Sequence, residues 1–345
     1  MTDLLPRDIK GYINETLRPA LEGLDASHRR ARKKVMVGAA GVTTAALLGL
    51  MWYMARVQGP MGWVDWAVAI GVVVGAAVVS QLLFYGWVVR GKDRELSQEV
   101  LAPLLEHIHG PVGELEGRRR WQEEVKEALC QWPVDRFVSR QGFRVGGGGE
   151  EKRLAEVEAT MRVRVDEGQR KEKSCHQIHG WVMEGRLSEG EGWEDVVVAI
   201  TPRPGAEEWR EVETLGGEAL EVRAAGVLAV VPWVAERASE PMRPLRLPHV
   251  EFDDRCEVWT NDVAAARGLM GDAMIEAISR AAALWGRAEG QGYFEVVIKG
   301  GRIYVWWPRV TTVSQVRFLE LADQVEWLVE WARDIGAGAR ILDAA

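Results

Sequence analysis

Two long apolar runs near the N-terminus dominate the pattern of hydrophobic and polar positions. Residues 35–55 carry no charge, and residues 63–89 carry only Asp65, close to their start. A helix rises about 1.5 Å per residue, so the first run would span roughly 31 Å, close to the thickness of a bilayer core. Between the runs stand Gly59, Pro60 and Gly62, which favour a turn. The pattern predicts a transmembrane helical hairpin over residues 35–90.

Basic residues flank this hairpin on its outer sides. They are Arg29, Arg30, Arg32, Lys33 and Lys34 before the first run, and Arg90 and Lys92 after the second. The turn carries only Arg56. Because Lys and Arg next to a span favour the cytoplasmic side, we expect both termini in the cytoplasm and only the turn outside.

Small residues recur every four positions in both runs. They are Gly41, Ala45 and Gly49 in the first run and Ala67, Gly71 and Gly75 in the second. Residues four apart share a helix face, and small ones let two backbones approach closely. Two interpretations stay open: the hairpin packs on itself, or the stripe is a seam between copies of the chain.

The rest of the chain alternates between helical and strand periodicity. In residues 1–34 an apolar spacing predicts an amphipathic helix, which packs on the protein or lies on lipid. Residues 91–149 are expected to be a helical segment over 93–140 and a glycine linker ending in Gly146–Gly149. Residues 150–345 show strand texture and, further along, helical spacing. The strands expected in the first part are Glu158–Asp166, Gln177–Leu187, Asp195–Thr201, Ala219–Arg223 and Gly226–Val231. The predicted fold class is α+β, with a mostly antiparallel sheet and C-terminal helices.

The C-terminal half carries the clearest local signals. Residues 252–260 read as a strand, after which Asp262 is placed to cap a helix that begins at Val263. Gly300-Gly301 separates two apolar runs and predicts a two-residue hairpin turn. A final helix is expected over Val313–Asp334. Trp306 and Trp307 fall on opposite faces of their strand, so we expect one ring to be exposed or to cover a neighbour, as a possible partner surface.

Charge and cysteine content narrow the function classes. The net charge is −8, and residues 91–345 alone carry 45 acids and 33 bases. Such an acidic body argues against nucleic acid as a partner. The three cysteines are scattered and predict no disulfide framework, as suits a reducing cytoplasm.

No motif predicts a catalytic residue, a cofactor or a metal. The four glycines are followed by Glu150-Glu151, whereas a P-loop needs Lys and Ser/Thr. In Cys175-His176-Gln177-Ile178-His179, strand alternation would put the two histidines on opposite faces, and no second Cys/His cluster completes a zinc site.

A family resemblance covers residues 249–308 well and most of residues 155–340 loosely. Phe252, the run Val258-Trp-Thr-Asn-Asp262, residues 264–278 and the hairpin ending in Arg302–Pro308 resemble the bacterial domain-of-unknown-function family 3137. The resemblance implies two transmembrane helices followed by a cytoplasmic α+β body, in a bacterial inner membrane. It implies no reaction, cofactor or ligand. The chain departs from the family pattern at Cys256, Trp259 and Ala265.

Two functional hypotheses follow. The first is a non-enzymatic inner-membrane protein whose α+β domain binds another protein or assembles with itself. The alternative is a membrane-tethered enzyme or small-ligand sensor, which requires a pocket where titratable groups converge.

Overall fold

The computed structural model is an α+β protein with a long N-terminal helix, a mostly antiparallel sheet and a C-terminal helix. It describes residues 8–56, 71, 73–75, 78–79, 94–129, 134–146, 151–166, 170–187, 193–202, 209–214, 219–225, 227–230, 242–285, 294–308 and 325–345. Contacts divide the chain into two units: Lys10–Leu101 with Val313–Glu326, called the helical unit, and Met1–Ile9, Ala102–Thr312 and Trp327–Ala345, called the α+β unit.

A single helical run forms most of the described part of the helical unit. It consists of α1 (Ile9–Tyr12), a π-helical turn (Ile13–Leu17) and α2 (Arg18–Arg56), and a second π-helical turn covers Ser97–Leu101. The predicted apolar stripe is buried in the protein at Ile13, Leu17, Leu21 and Leu24. Burial against protein favours the first of the two readings of this segment, a helix that packs on the protein.

The α+β unit contains the sheet and most of the shorter helices. Its strands are β1 (Val112–Glu114), β2 (Arg136–Val145), β3 (Lys152–Asp166), β4 (Arg170–Arg186), β5 (Val198–Pro202), β6 (Trp209–Thr214), β7 (Ala219–Ala225), β8 (Val227–Val230), β9 (Arg243–Leu245), β10 (Cys256–Thr260), β11 (Glu295–Lys299) and β12 (Arg302–Pro308). Its helices are α3 (Ala102–His109), α4 (Arg118–Leu129), α5 (Val250–Asp253), α6 (Val263–Leu269) and α7 (Asp272–Trp285); α8 (Val325–Asp343) begins in the helical unit and continues into this one.

The strands form one sheet in the described residues. Its main body has the order β1-β2-β3-β4-β12-β11-β5-β10-β9. Strand β6 pairs with the C-terminal part of β3, β8 pairs with β4 at His176, and β7 lies between β6 and β8. The β4–β8 pair is parallel and the other pairs are antiparallel, as the sequence predicts. The predicted hairpin is present between β11 and β12, where positive φ at Gly300 and Gly301 permits a tight turn.

Helices cover both faces of the sheet. On one face, Trp121, Val125 and Leu129 of α4 repeat at helical spacing and pack against strand residues such as Ala155 and Val182. On the other face lie α7 and α8. Trp285 of α7 stacks on Trp307 of β12 with ring centroids 5.4 Å apart. Because both faces are covered, polar strand residues near the middle of the sheet are buried.

The predicted helical block 93–140 is wrong for its second part. Helix α4 is present, but residues 112–114 and 136–145 are strands, and β2 pairs with β3 from Arg136 to Val145. The physical reason is backbone pairing of β2 with β3, together with the burial of Phe143 and Val145. The sheet therefore begins before residue 150, where the sequence analysis placed the domain boundary. Of the expected linker, Gly147–Gly149 lie outside the described residues.

Three smaller differences concern the C-terminal half. Residues 250–253 form helix α5, so the strand predicted from Phe252 starts only at Cys256. Strands β6 and β9 were not predicted. Helix α8 ends at Asp343, nine residues beyond the predicted end, because Ile335, Ala339 and Leu342 continue its buried face; residues 313–324 lie outside the described part. The cap at Asp262 is confirmed, since its Oδ1 accepts hydrogen bonds from the backbone N–H of Ala264 and Ala265.

Candidate functional site

The small residues predicted to pack the two spans lie on exposed helix surface wherever the structure describes them. Gly41, Ala45 and Gly49 are exposed on α2, and Gly71 and Gly75 are helical and exposed. A Cβ built on any of these four glycines would meet no described heavy atom within 4 Å. Ala67, Arg90 and Lys92 fall outside the described residues. Whether the small residues form a seam therefore stays a prediction.

Trp306 and Trp307 lie on opposite faces of β12, but neither is exposed. Their exposed fractions are 4% and 1%, because α4 covers the first ring and α7 and α8 cover the second. The prediction of a partner surface at these two residues is therefore corrected. Each ring belongs to the core of its own face of the sheet.

Charged side chains converge at one place beneath α4, which we call the Glu184 cluster: Trp121, Glu124, Arg153, Glu184, Arg302 and Tyr304. The sheet register brings its strand members together. Glu184 of β4 pairs with Arg153 of β3 on one side and with Tyr304 of β12 on the other. Arg302 is two residues before Tyr304, so it lies on the same face and diagonal to Glu184.

Glu184 is the centre of this cluster, with 2% of its surface exposed. Its Oε1 accepts a hydrogen bond from Nη1 of Arg302, and its Oε2 accepts one of 2.5 Å from Nε1 of Trp121. Nη1 of Arg153 is 3.7 Å from Oε2 of Glu184 and 3.7 Å from Oε2 of Glu124. Both oxygens of Glu184 are thus engaged, and the cluster ties α4 to three strands.

The local electrostatics follow from burial and from this pairing. Burial lowers the pKa of Arg302, but the carboxylate of Glu184 outweighs burial and raises the pKa above its usual range. Burial, helped by the same carboxylate, raises the pKa of Tyr304, so its phenol stays protonated at neutral pH. The cluster therefore consists of paired charges and a neutral phenol, which suit it to stabilise the packing of α4 on β3, β4 and β12.

The α+β unit has two further buried acids in its described residues, at other positions of the sheet. Glu295 lies opposite Trp306, on the α4 side of the sheet, and Glu156 lies opposite Trp181 on the other side. Both have exposed fractions of 2% or less. The three buried carboxyls of the described sheet are therefore divided between its faces, with Glu184 and Glu295 on one and Glu156 on the other.

Sequence reasoning missed the Glu184 cluster, although a signal was present. Glu184 follows Trp181-Val182-Met183 in an apolar run, and Arg302 and Tyr304 alternate on the hairpin. A charge that directly follows an apolar run within a strand indicates a buried partner. Which partner it meets depends on the order β3-β4-β12, which joins residues more than 100 positions apart and is not visible in local periodicity.

A second group of titratable side chains lies at the end of α3. Burial, followed by the nearby Lys152 ammonium, lowers the pKa of His109 to about 4, and Asp343 opposes this shift. Lys152 of β3 and Asp343 of α8 form an ion pair beside it. The imidazole of His109 is thus neutral at pH 7, and its Nε2 is buried without a hydrogen-bond partner in the described structure.

Cys175, His176 and His179 all lie on β4. His179 pairs with Glu158 and His176 with Thr160, with a one-residue register shift between them. This bulge interrupts the two-residue alternation on which the sequence argument about their faces relied. In the described part of the chain, no three His, Cys, Asp or Glu residues are grouped so that they could hold a metal ion.

The chain matches no family model, no curated protein and no solved structure. Membership of family 3137 therefore stays a proposal that rests on residues 249–308.

Proposed function

We propose that this chain is an integral membrane protein of the bacterial inner membrane, with residues 35–55 and 63–89 as its two spans and an α+β unit in the cytoplasm. The unit is proposed to bind another protein or a second copy of the chain. The lipid bilayer is the first partner that this proposal requires.

The exposed apolar surface of α2 carries the proposal. Among the described residues, one helix, Ile9–Trp52, is long and apolar enough to cross a membrane. Large apolar side chains stand out from it along its second half: Met36, Val37, Val42, Leu47, Leu48, Met51 and Trp52. Leu48 is 61% exposed. A contiguous apolar surface of this length is unfavourable in water and favourable in hydrocarbon.

A contact between the two flanks supports the hairpin. His28 precedes the first proposed span and Glu95 follows the second, and Nε2 of His28 lies 3.0 Å from Oε2 of Glu95. Two flanks in contact lie on the same side of a membrane, which requires an even number of crossings. The described residues of the second span, 71, 73–75, 78 and 79, are helical, with Val74, Val78 and Val79 exposed.

The contacts and positions of the buried carboxylates support an interaction role. In the Glu184 cluster, the carboxylate oxygens are taken by Arg302 and Trp121, so this charge stabilises the fold. An enzyme or ligand sensor, the alternative, needs titratable groups that converge on one cavity. The buried acids of the described sheet are instead divided between its two faces, with Glu184 and Glu295 on one and Glu156 on the other. This observation favours the interaction role over the alternative.

Self-assembly is tested by the mass of the purified full chain in detergent, measured by light scattering. The proposal predicts a defined oligomer or a stable hetero-complex. Gly71→Leu with Gly75→Leu distinguishes the two uses of the small residues: a lower oligomer mass indicates a seam between copies, and a lower melting temperature at unchanged mass indicates packing within one hairpin. A monomer that retains no partner through purification contradicts the interaction role.

A further inference from the structure

Four basic residues of α2 share one exposed face. They are Arg29, Arg30, Lys33 and Lys34, which we call the basic face. At 100° per helical residue they fall within an arc of about 140°. The buried residues Leu21 and Leu24 lie on the opposite side of the same helix. The side of α2 that is turned away from the protein is therefore the side that carries the positive charge.

The basic face stands at the edge of the exposed apolar surface. Val37, which is 72% exposed, and Leu48 continue the same face of the helix toward its C-terminus. From Lys34 to Arg56 the helix rises about 33 Å, the thickness of a bilayer core. At that far end the guanidinium of Arg56 lies 4.5 Å above the ring of Trp52, a pair typical of a membrane interface. These dimensions put the basic face at the level of the lipid headgroups.

The described structure leaves the two lysines available for an external anion. The side chains of Lys33 and Lys34 form no ion pair or hydrogen bond among the described residues. Arg30 only donates from Nε to the backbone oxygen of Ala26, one turn earlier. Nucleic acid is a poor partner, because residues 91–345 carry 45 acids against 33 bases and would repel it.

We propose that the basic face binds the headgroups of anionic phospholipids in the cytoplasmic leaflet. This inference rests on the proposed membrane insertion. Each basic side chain near a lipid surface contributes about a fivefold preference for anionic lipid, and salt screens it. The contact fixes the depth and rotation of α2, while the acidic body stays away from the same leaflet.

The test uses the full chain purified in neutral detergent and titrated with phosphatidylglycerol or phosphatidylcholine, with bound lipids counted by native mass spectrometry. One variant combines Arg29→Gln, Arg30→Gln, Lys33→Gln and Lys34→Gln. A matched control removes the same charge from exposed arginines elsewhere, through Arg243→Gln, Arg246→Gln, Arg255→Gln and Arg267→Gln. Because a detergent micelle has no inner and outer leaflet, the number of bound lipids does not depend on how each variant inserts into a membrane.

The wild type and the control are expected to prefer phosphatidylglycerol at least fivefold, and the preference should weaken as salt is raised. The basic-face variant should bind both lipids about equally. The proposal is overturned if that variant keeps the wild-type preference, or if the control loses as much. Alkaline extraction of membranes separates the two proposals: an extractable wild type contradicts membrane insertion, whereas an inserted chain without lipid preference contradicts only the lipid site.

Discussion

Glu184 and Arg302 form an ion pair that runs diagonally across β4 and β12, with the Glu184 side chain 2% exposed and that of Arg302 25% exposed. The same carboxylate accepts a hydrogen bond from the indole of Trp121 on α4. One acid thus joins a helix to two strands that are far apart in sequence. A single substitution at Glu184 therefore disturbs contacts of α4 and of β12 together.

Glu184→Gln should destabilise the protein by about 3 kcal/mol, because it leaves the guanidinium of Arg302 partly buried without its counter-charge. The measurement is chemical denaturation of the full chain in detergent. The control is Glu123→Gln, on the exposed side of α4. It should change the free energy of unfolding by less than about 0.5 kcal/mol.

A double substitution tests whether the loss comes from an uncompensated charge. Glu184→Leu with Arg302→Met removes both charges, and should be more stable than Glu184→Leu alone. Equal stability of the two variants would mean that the ion pair contributes little and that packing explains the effect.

Gly338→Ala should destabilise the contact between α8 and the sheet. An added Cβ would lie 2.9 Å from Cζ3 of Trp307, and that ring is held by its stack on Trp285. We expect a loss of about 1–3 kcal/mol, the usual cost of overpacking. Gly268→Ala is the matched control in α6, because its Cβ would meet nothing within 4 Å, and it should be neutral or slightly stabilising. The measurement is the melting temperature of both variants. Equal melting temperatures would argue against close packing at Gly338.

His109 should make stability depend on pH below neutrality. Its pKa is about 4 in the folded chain and ordinarily 6.5, so the unfolded chain binds the proton more readily. The neutral imidazole of His109 contributes its full stabilisation above pH 6.5 and loses it as the pH falls toward 4. Between pH 7.5 and pH 5 this loss lowers the free energy of unfolding by about 2 kcal/mol.

Melting of the wild type and of His109→Gln at these two pH values is the measurement. The variant should lose part of the pH dependence, whereas His249→Gln, at an exposed site, should keep it. Identical pH profiles for wild type and His109→Gln would contradict a buried neutral imidazole.

The sequence predicts local features well and the limits of the α+β unit poorly. The cap at Asp262 and the turn at Gly300-Gly301 depend on neighbouring residues, so periodicity and turn chemistry find them. The role of β2 depends on pairing with β3, and Gly142 there comes so close that a Cβ would lie 2.9 Å from Leu115. Similarly, the burial of Trp306 and Trp307 depends on helices that pack from distant parts of the chain. Such contacts are set by topology, which a local pattern does not contain.

A truncation tests this revised limit. A fragment that begins at Glu150 lacks β1, β2 and α4, so it exposes Val157 and Ala159 and the edge of β3. We expect it to aggregate or to unfold without cooperativity. A fragment that begins at Ala102 keeps these elements and should unfold cooperatively. Cooperative unfolding of the shorter fragment would restore the boundary at residue 150.

The central claim, a two-span membrane protein with its α+β unit in the cytoplasm, is tested most directly by reporter fusions after Gly59 and after Ala345 in bacterial cells. A reporter active only outside the inner membrane should be active after Gly59 and inactive after Ala345, and a reporter active only in the cytoplasm should give the opposite result. A C-terminal reporter that is active outside, or a chain that alkaline treatment releases from the membrane, would contradict the account.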